Sequence, residues 1–153
     1  MAKFIVKGGK PLKGEISLSG AKNAATKMMV ASLLTDQPCV FENFPNIGDT
    51  EITGELCREI GSEIEISGSK LTIQTAEIKQ NKAFHLSRRN RIPILALGPL
   101  LARAGEAEVP ILGGDKLGPR PVNLHIKALE SLGAKIEISS ESYRATAPNG
   151  LHG

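Results

Sequence analysis

Hydrophobic and polar positions change period along this chain, and the changes mark its elements. Lys3–Lys7 and Glu15–Leu18 alternate and predict two short strands, separated by the turn-forming Gly8-Gly9-Lys10-Pro11. From Lys22 to Leu34 apolar residues fall on most helical faces, which predicts a largely buried helix entered through Ser19-Gly20-Ala21. A strand over Cys39–Glu42 and a loop rich in Asn, Pro and Gly follow. The next helix runs from about Thr50 to Ile60, with Ile52, Leu56 and Ile60 on its inner face, Asp49 as its cap and Gly61 as its stop. Glu63–Ser67 and Lys70–Thr75 then alternate about Gly68-Ser69 as a hairpin does.

The second half repeats this plan. The segment Cys57–Ile66 matches Leu129–Ile138 at an offset of 72, and Ala31–Leu34 matches Leu100–Arg103 at an offset of 69. The three additional residues fall in the interval that holds Gly113–Pro121, so the second unit carries an enlarged loop there. The offset of 69 also carries Lys22 onto Arg91, giving two equivalent helix starts one cation each. The expected fold class is α/β, built of β-α-β-α-β-β units, with repeat 1 over about 14–75 and repeat 2 over about 85–148. Such a unit buries its apolar face on neighbours of its own kind, so more than two copies are expected. Pro148–Gly153 reads as a turn leading out of a strand, which fits an N-terminal portion of a longer protein.

Composition narrows the function classes. A chain of 153 residues with 41% hydrophobic residues can form a real core, while 3% aromatic residues and no Trp leave almost no base-stacking platforms. A nucleic-acid partner is therefore not expected. Net charge is only +3, yet residues 88–127 hold seven Lys and Arg against three carboxylates, a local surplus suited to a phosphate site. Cys39 and Cys57 lack a CxxC spacing and a nearby His, and read as reduced core residues. Met28-Met29 reads as core packing. His85, His125 and His152 read as a strand-end, a helix-surface and a tail residue, without metal-ligand spacing. With neither a signal-peptide pattern nor a run long enough for a membrane span, the chain reads as cytoplasmic, with no membrane partner.

Two stretches carry candidate chemistry. Gly113-Gly114-Asp115-Lys116-Leu117-Gly118-Pro119-Arg120-Pro121 spends three glycines and two prolines around one carboxylate and runs into a helix expected to begin at Pro121. An acid, a guanidinium and a helix N-terminus within six residues suit an anionic substrate, although an ordinary loop with solvated charges is the competing reading. Lys22 and Asn23 stand at the start of the first long helix. A cation there is unfavourable unless an anion arrives, which tilts the reading toward function.

Taken together, Ser19–Ala25, Ala96–Arg103 and Gly113–His125 occur in the order and spacing of three motifs, and the whole chain resembles the enolpyruvyl transferases. The resemblance is to the branch that uses UDP-N-acetylglucosamine; the shikimate 3-phosphate branch differs around Ala21-Lys22-Asn23-Ala24. What it implies is an inside-out α/β barrel of six units in two globular domains, with residues 1–21 belonging to the other domain and most of the fold missing here. The implied reaction moves the enolpyruvyl group of phosphoenolpyruvate to the 3-hydroxyl of the sugar nucleotide and releases phosphate, the first committed step of peptidoglycan synthesis. No cofactor or metal is implied. By similarity, Lys22, Asn23 and Arg120 bind phosphoenolpyruvate, while Arg91, Arg120, Pro121, Val122, Asn123 and Leu124 bind the sugar nucleotide. Asp115 stands where most members carry a cysteine and takes the role of general acid, which implies insensitivity to fosfomycin. Asn123 replaces a common aspartate, which puts nucleotide preference in doubt. The later units supply the other wall of the cleft, so the chain is expected to need a downstream partner for activity. The alternative is a noncatalytic anion-binding fragment or half of a split enzyme.

Overall fold

The computed structural model describes residues 3–83, 92–111 and 121–153. The first helix, α1 (Lys22–Ala31), tightens into a 3₁₀ turn over Ser32–Leu34, and β1 (Cys39–Phe41), α2 (Gly48–Ile60), β2 (Glu63–Ser67) and β3 (Lys70–Gln74) follow. The second unit enters through a 3₁₀ segment, Ile92–Ala96, which runs into α3 (Leu97–Ala104). It continues with β4 (Glu106–Pro110), α4 (Asn123–Ser131), β5 (Lys135–Ile138) and β6 (Ser142–Thr146).

Both units build the same small antiparallel sheet, in the orders β1-β3-β2 and β4-β6-β5, with the last strand of each unit in the centre. The pairings Cys39↔Ile73↔Ile64 and Ala107↔Ala145↔Ile136 put apolar residues on one face of each sheet. These faces and the inner sides of the helices form one continuous core, with Met29, Leu33, Leu56, Ile60, Leu71 and Ile73 from the first unit and Leu97, Leu100, Leu101 and Val109 from the second. Met29 is fully buried, but its neighbour Met28 is 45% exposed, so only one of the pair is core. Both cysteines are free thiols; Cys57 is buried and Cys39 half-buried.

Capping chemistry moves two helix starts from their expected positions. Helix α2 begins at Gly48 behind an extended Ile47. The Thr50 hydroxyl accepts the Ile47 N–H at 3.1 Å, so Thr50 secures the start and Asp49 lies inside the first turn instead of capping it. Helix α4 begins at Asn123, because Val122, at φ −108°, is outside the helical range and serves as the cap; Pro121 precedes it. The C-terminal stops repeat. Gly61 and Gly133 follow the last turns of α2 and α4 with φ of +126° and +96°, which favours glycine. In both units the chain leaving the hairpin returns over this stop, Lys79 N–H donating to the Ile60 carbonyl at 2.8 Å and His152 N–H to that of Leu132 at 2.9 Å.

The two strands expected at Lys3–Lys7 and Glu15–Leu18 do not form. Among the described residues neither joins a sheet, and Phe4 and Leu12 are 100% and 99% exposed. A strand holds only when a ladder pairs its backbone and a surface covers its apolar face, and the described chain offers this segment neither. Its anchors come at the end, where Asn43 Nδ2 donates to the Leu18 carbonyl and Gly20 N–H to that of Asn43, both at 3.1 Å. The matching stretch of the second unit has a partner: Asn81–Ala83 runs parallel to β4 through Lys82↔Glu108, with bonds of 2.8 and 2.9 Å on either side.

Arg103 ties the units together. From the last turn of α3 its guanidinium donates to the carbonyls of Leu33, Thr35, Thr75 and Ala76, at the end of the Ser32–Leu34 turn and just past β3. Helix-end carbonyls lack intrahelical partners and carry partial negative charge, so a cation belongs there. This arginine, counted with the local positive surplus from sequence, is used in structure.

Candidate functional site

Helix α1 packs against Ile92–Ala96, and the Ser32–Leu34 turn packs against α3. The two equivalent helical stretches therefore lie against each other, earlier segment on earlier and later on later. Helix α2 joins them: Lys22, the first residue of α1, forms an ion pair with Asp49 in the first turn of α2, Nζ to Oδ2 at 2.9 Å. Helix α4 joins through His125 in its own first turn, whose Nε2 lies 3.1 Å from the Ile94 carbonyl. Thus His125 bridges two elements instead of simply facing solvent.

Two helix starts, those of α1 and α2, thus meet at Lys22, and the start of α4 lies on the Ile92–Ala96 segment that α1 packs against; each of the three has backbone N–H groups without an intrahelical acceptor. Ala21, which precedes α1, is extended and its side chain caps nothing, and no acidic residue stands in the first turns of α1 or α4. The partial positive charges at the starts of α1 and α4 favour an anion and Lys22 adds a full charge, while Asp49 and Glu51 place carboxylates in the first turn of α2. Lys22 and Asn23 are exposed, as are Pro121, Asn123 and Leu124 at the approach to α4, while Val122 is half-buried. Of the residues named from sequence, Lys22 and Asn23 thus open α1, and Pro121–Leu124 lead into and open α4. Arg91, Asp115 and Arg120 lie outside the described residues.

Sequence reasoning missed Asp49 as a partner of Lys22. An acidic residue next to a helix start reads as a cap, and only packing of α1 on α2 shows which cation it meets. Glu108, one of the three carboxylates of the basic stretch, was also unassigned. It is buried on the face of the second sheet opposite the core and accepts from Ser142 Oγ at 2.7 Å and from Arg144 Nε at 3.2 Å. Burial opposes its charge, but the Ser142 hydroxyl and the Arg144 guanidinium outweigh burial and hold the carboxyl below the usual carboxylate range. Among the described residues no His, Cys, Asp and Glu group is arranged to hold a metal ion.

Comparison with known proteins gives this geometry a context. Residues 6–151 match the family described as EPSP synthase (3-phosphoshikimate 1-carboxyvinyltransferase). The chain is 48% identical over 157 aligned positions to UDP-N-acetylglucosamine 1-carboxyvinyltransferase of Chlamydia abortus, covering 100% of this chain and 35% of that protein. It is 44% identical to the protein of the same name from Acidiphilium cryptum, covering 100% and 37%. The chain therefore spans about a third of the length of the curated relatives it matches. Among solved structures, the enolpyruvyl transferase NikO from Streptomyces tendae superposes with a TM-score of 0.76 at 22% identity, covering 94% of this chain and 32% of that one. EPSP synthase from Acinetobacter baumannii gives 0.70 at 22% identity, covering 95% and 34%. These two likenesses are of fold. With the family match running almost from end to end, the chain belongs to the EPSP synthase family of enolpyruvyl transferases.

Proposed function

We propose that this chain contributes the phosphoenolpyruvate-binding wall of an enzyme that transfers the enolpyruvyl group to the 3-hydroxyl of UDP-N-acetylglucosamine and releases phosphate, a step of peptidoglycan synthesis in the cytoplasm. The observation that carries this reading is the meeting of the α1 and α2 starts at the exposed Lys22, with the uncapped start of α4 on the neighbouring Ile92–Ala96 segment, which suits a ligand bearing phosphate and carboxylate. The identity of 41–48% with proteins named for this transfer supports the choice of acceptor.

In this reading Lys22, Asn23 and Arg120 hold phosphoenolpyruvate, and Arg91 together with Arg120–Leu124 receives the sugar nucleotide. Addition of the hydroxyl needs a proton at C3 of phosphoenolpyruvate so that C2 becomes electrophilic; elimination of phosphate then follows loss of a methyl proton. Asp115 is assigned the general acid. A carboxyl fills that role when its surroundings keep it protonated, a condition that Lys116 and Arg120 oppose. The two repeats form part of one globular domain, and residues 1–21 belong with the other; the bare apolar side chains of Phe4, Val6, Leu12 and Ile16 support a covering surface beyond the described residues.

The test is phosphate release from phosphoenolpyruvate and UDP-N-acetylglucosamine, by the chain alone and combined with protein supplying the remaining length of its relatives. Release that needs both pieces and falls by orders of magnitude in Lys22→Ala and Asp115→Ala supports the reading. No release from a folded combination refutes it in favour of a noncatalytic binding fragment.

A further inference from the structure

Lys22 is already paired before any substrate arrives. Its ammonium stands at the positive end of α1, where a cation is unfavourable, and Asp49 relieves this from the first turn of α2, where a carboxylate is favoured. The side chains are 57% and 38% exposed, so the pair is open to solvent and to an incoming ligand. An exposed pair of this kind is weak and exchangeable. Asp49 thus occupies, toward Lys22, the electrostatic place of an anionic substrate, and on exchange its carboxylate is left beside the N–H groups of the α2 start.

Building on the reading of Lys22 as an anion-binding residue, we propose that Asp49 is a positioning residue that holds Lys22 in a competing ion pair, so that an anionic substrate binds by exchanging for the Asp49 carboxylate. Two opposite effects follow from one contact. Asp49 keeps the ammonium between the starts of α1 and α2, and it lowers the net affinity of the empty site for anions.

The experiment titrates the chain with phosphoenolpyruvate, and separately measures how fast a small acylating reagent modifies Lys22, read by mass spectrometry. Asp49→Asn is expected to bind phosphoenolpyruvate about two- to five-fold more tightly, the range an exposed ion pair supports. It is also expected to modify faster at Lys22 without ligand, while Asp49→Glu behaves as the parent. A purely structural Asp49 would shift the melting temperature and leave both readouts unmoved. If Lys22→Ala abolishes binding but Asp49→Asn fails to tighten it, the exchange proposal is overturned and the anion-site reading stands. If Lys22→Ala binds as tightly as the parent, that reading fails and the exchange proposal with it.

Discussion

Replacing Arg103 with alanine removes a hydrogen-bonded contact that joins the two units. Nη1 donates to the Thr75 carbonyl at 2.7 Å and is shared with Leu33 and Thr35 at 3.2 Å each, and Nη2 donates to Ala76 at 2.9 Å. A hydrogen bond from a charged donor contributes about 1.5–3 kcal/mol net. One nitrogen has two hydrogens for three acceptors, so the two short bonds dominate and the longer pair adds a fraction. The expected loss for Arg103→Ala is therefore about 3–5 kcal/mol, a large part of the ~5–15 kcal/mol that holds a domain of ordinary stability. Arg103→Lys keeps the charge but loses the planar fork, and recovers at most about half. Urea unfolding at constant ionic strength, with the midpoint and slope both fitted, measures each loss. A loss below about 1 kcal/mol in Arg103→Ala, or full stability in Arg103→Lys, would refute the assignment of Arg103 as the tie between units.

Three further outcomes follow from single residues. Gly61→Ala and Gly133→Ala both place a Cβ on a left-handed backbone, but unequally: the new carbon at 61 lies 2.8 Å from the fixed Glu77 carbonyl oxygen, whereas at 133 it meets the His152 ring, which can swing away. Chemical denaturation should show a loss of about 2–4 kcal/mol at position 61 and about 1–2 at position 133; equal losses would contradict the difference in packing. Burial pushes the Cys57 thiol up from 9.0 to about 12 against the opposing pull of Arg58, so the folded chain keeps a proton that the unfolded chain releases. Stability is then complete below pH 9 and falls by up to about 1.4 kcal/mol per pH unit between the two values, a slope that Cys57→Ala removes and that urea titrations at stepped pH can measure. Fosfomycin should leave Gly113–Pro121 unmodified, since a carboxylate is a much weaker nucleophile than a thiolate; an adduct on Asp115 by mass spectrometry would contradict this.

Periodicity made most of the local elements legible. Strand β1, the β2–β3 hairpin and helix α1 follow from apolar spacing and turn residues, and the internal repeat anticipated that the second half would run through the same order of elements as the first. Pattern alone failed where a partner decides the outcome. Glu15–Leu18 alternates as a strand does, yet without a paired edge its alternation has nothing to face. Asp49 read as a cap because caps are local, while its actual partner is 27 residues away in sequence and is met only through the packing of α1 on α2. Arg103 read as one more cation of a basic stretch, because carbonyls at the end of a distant helix leave no mark on its neighbours. Lys22 and Asn23 were legible as site candidates for a physical reason, the cost of a cation at a helix start. That Asp49 of α2 would meet Lys22, and His125 of α4 the Ile94 carbonyl, was not.

The most direct test of the central claim, that helical starts converge on an anion site at Lys22, is to map phosphoenolpyruvate onto the backbone amides of the folded chain by NMR titration. Saturable shifts are expected, confined to Ala21–Ala25, Gly48–Thr50, the start of the Ile92–Ala96 segment and Asn123–His125, all with one dissociation constant and all lost in Lys22→Ala. Shifts scattered over the surface lysines, or unchanged by that substitution, would contradict it.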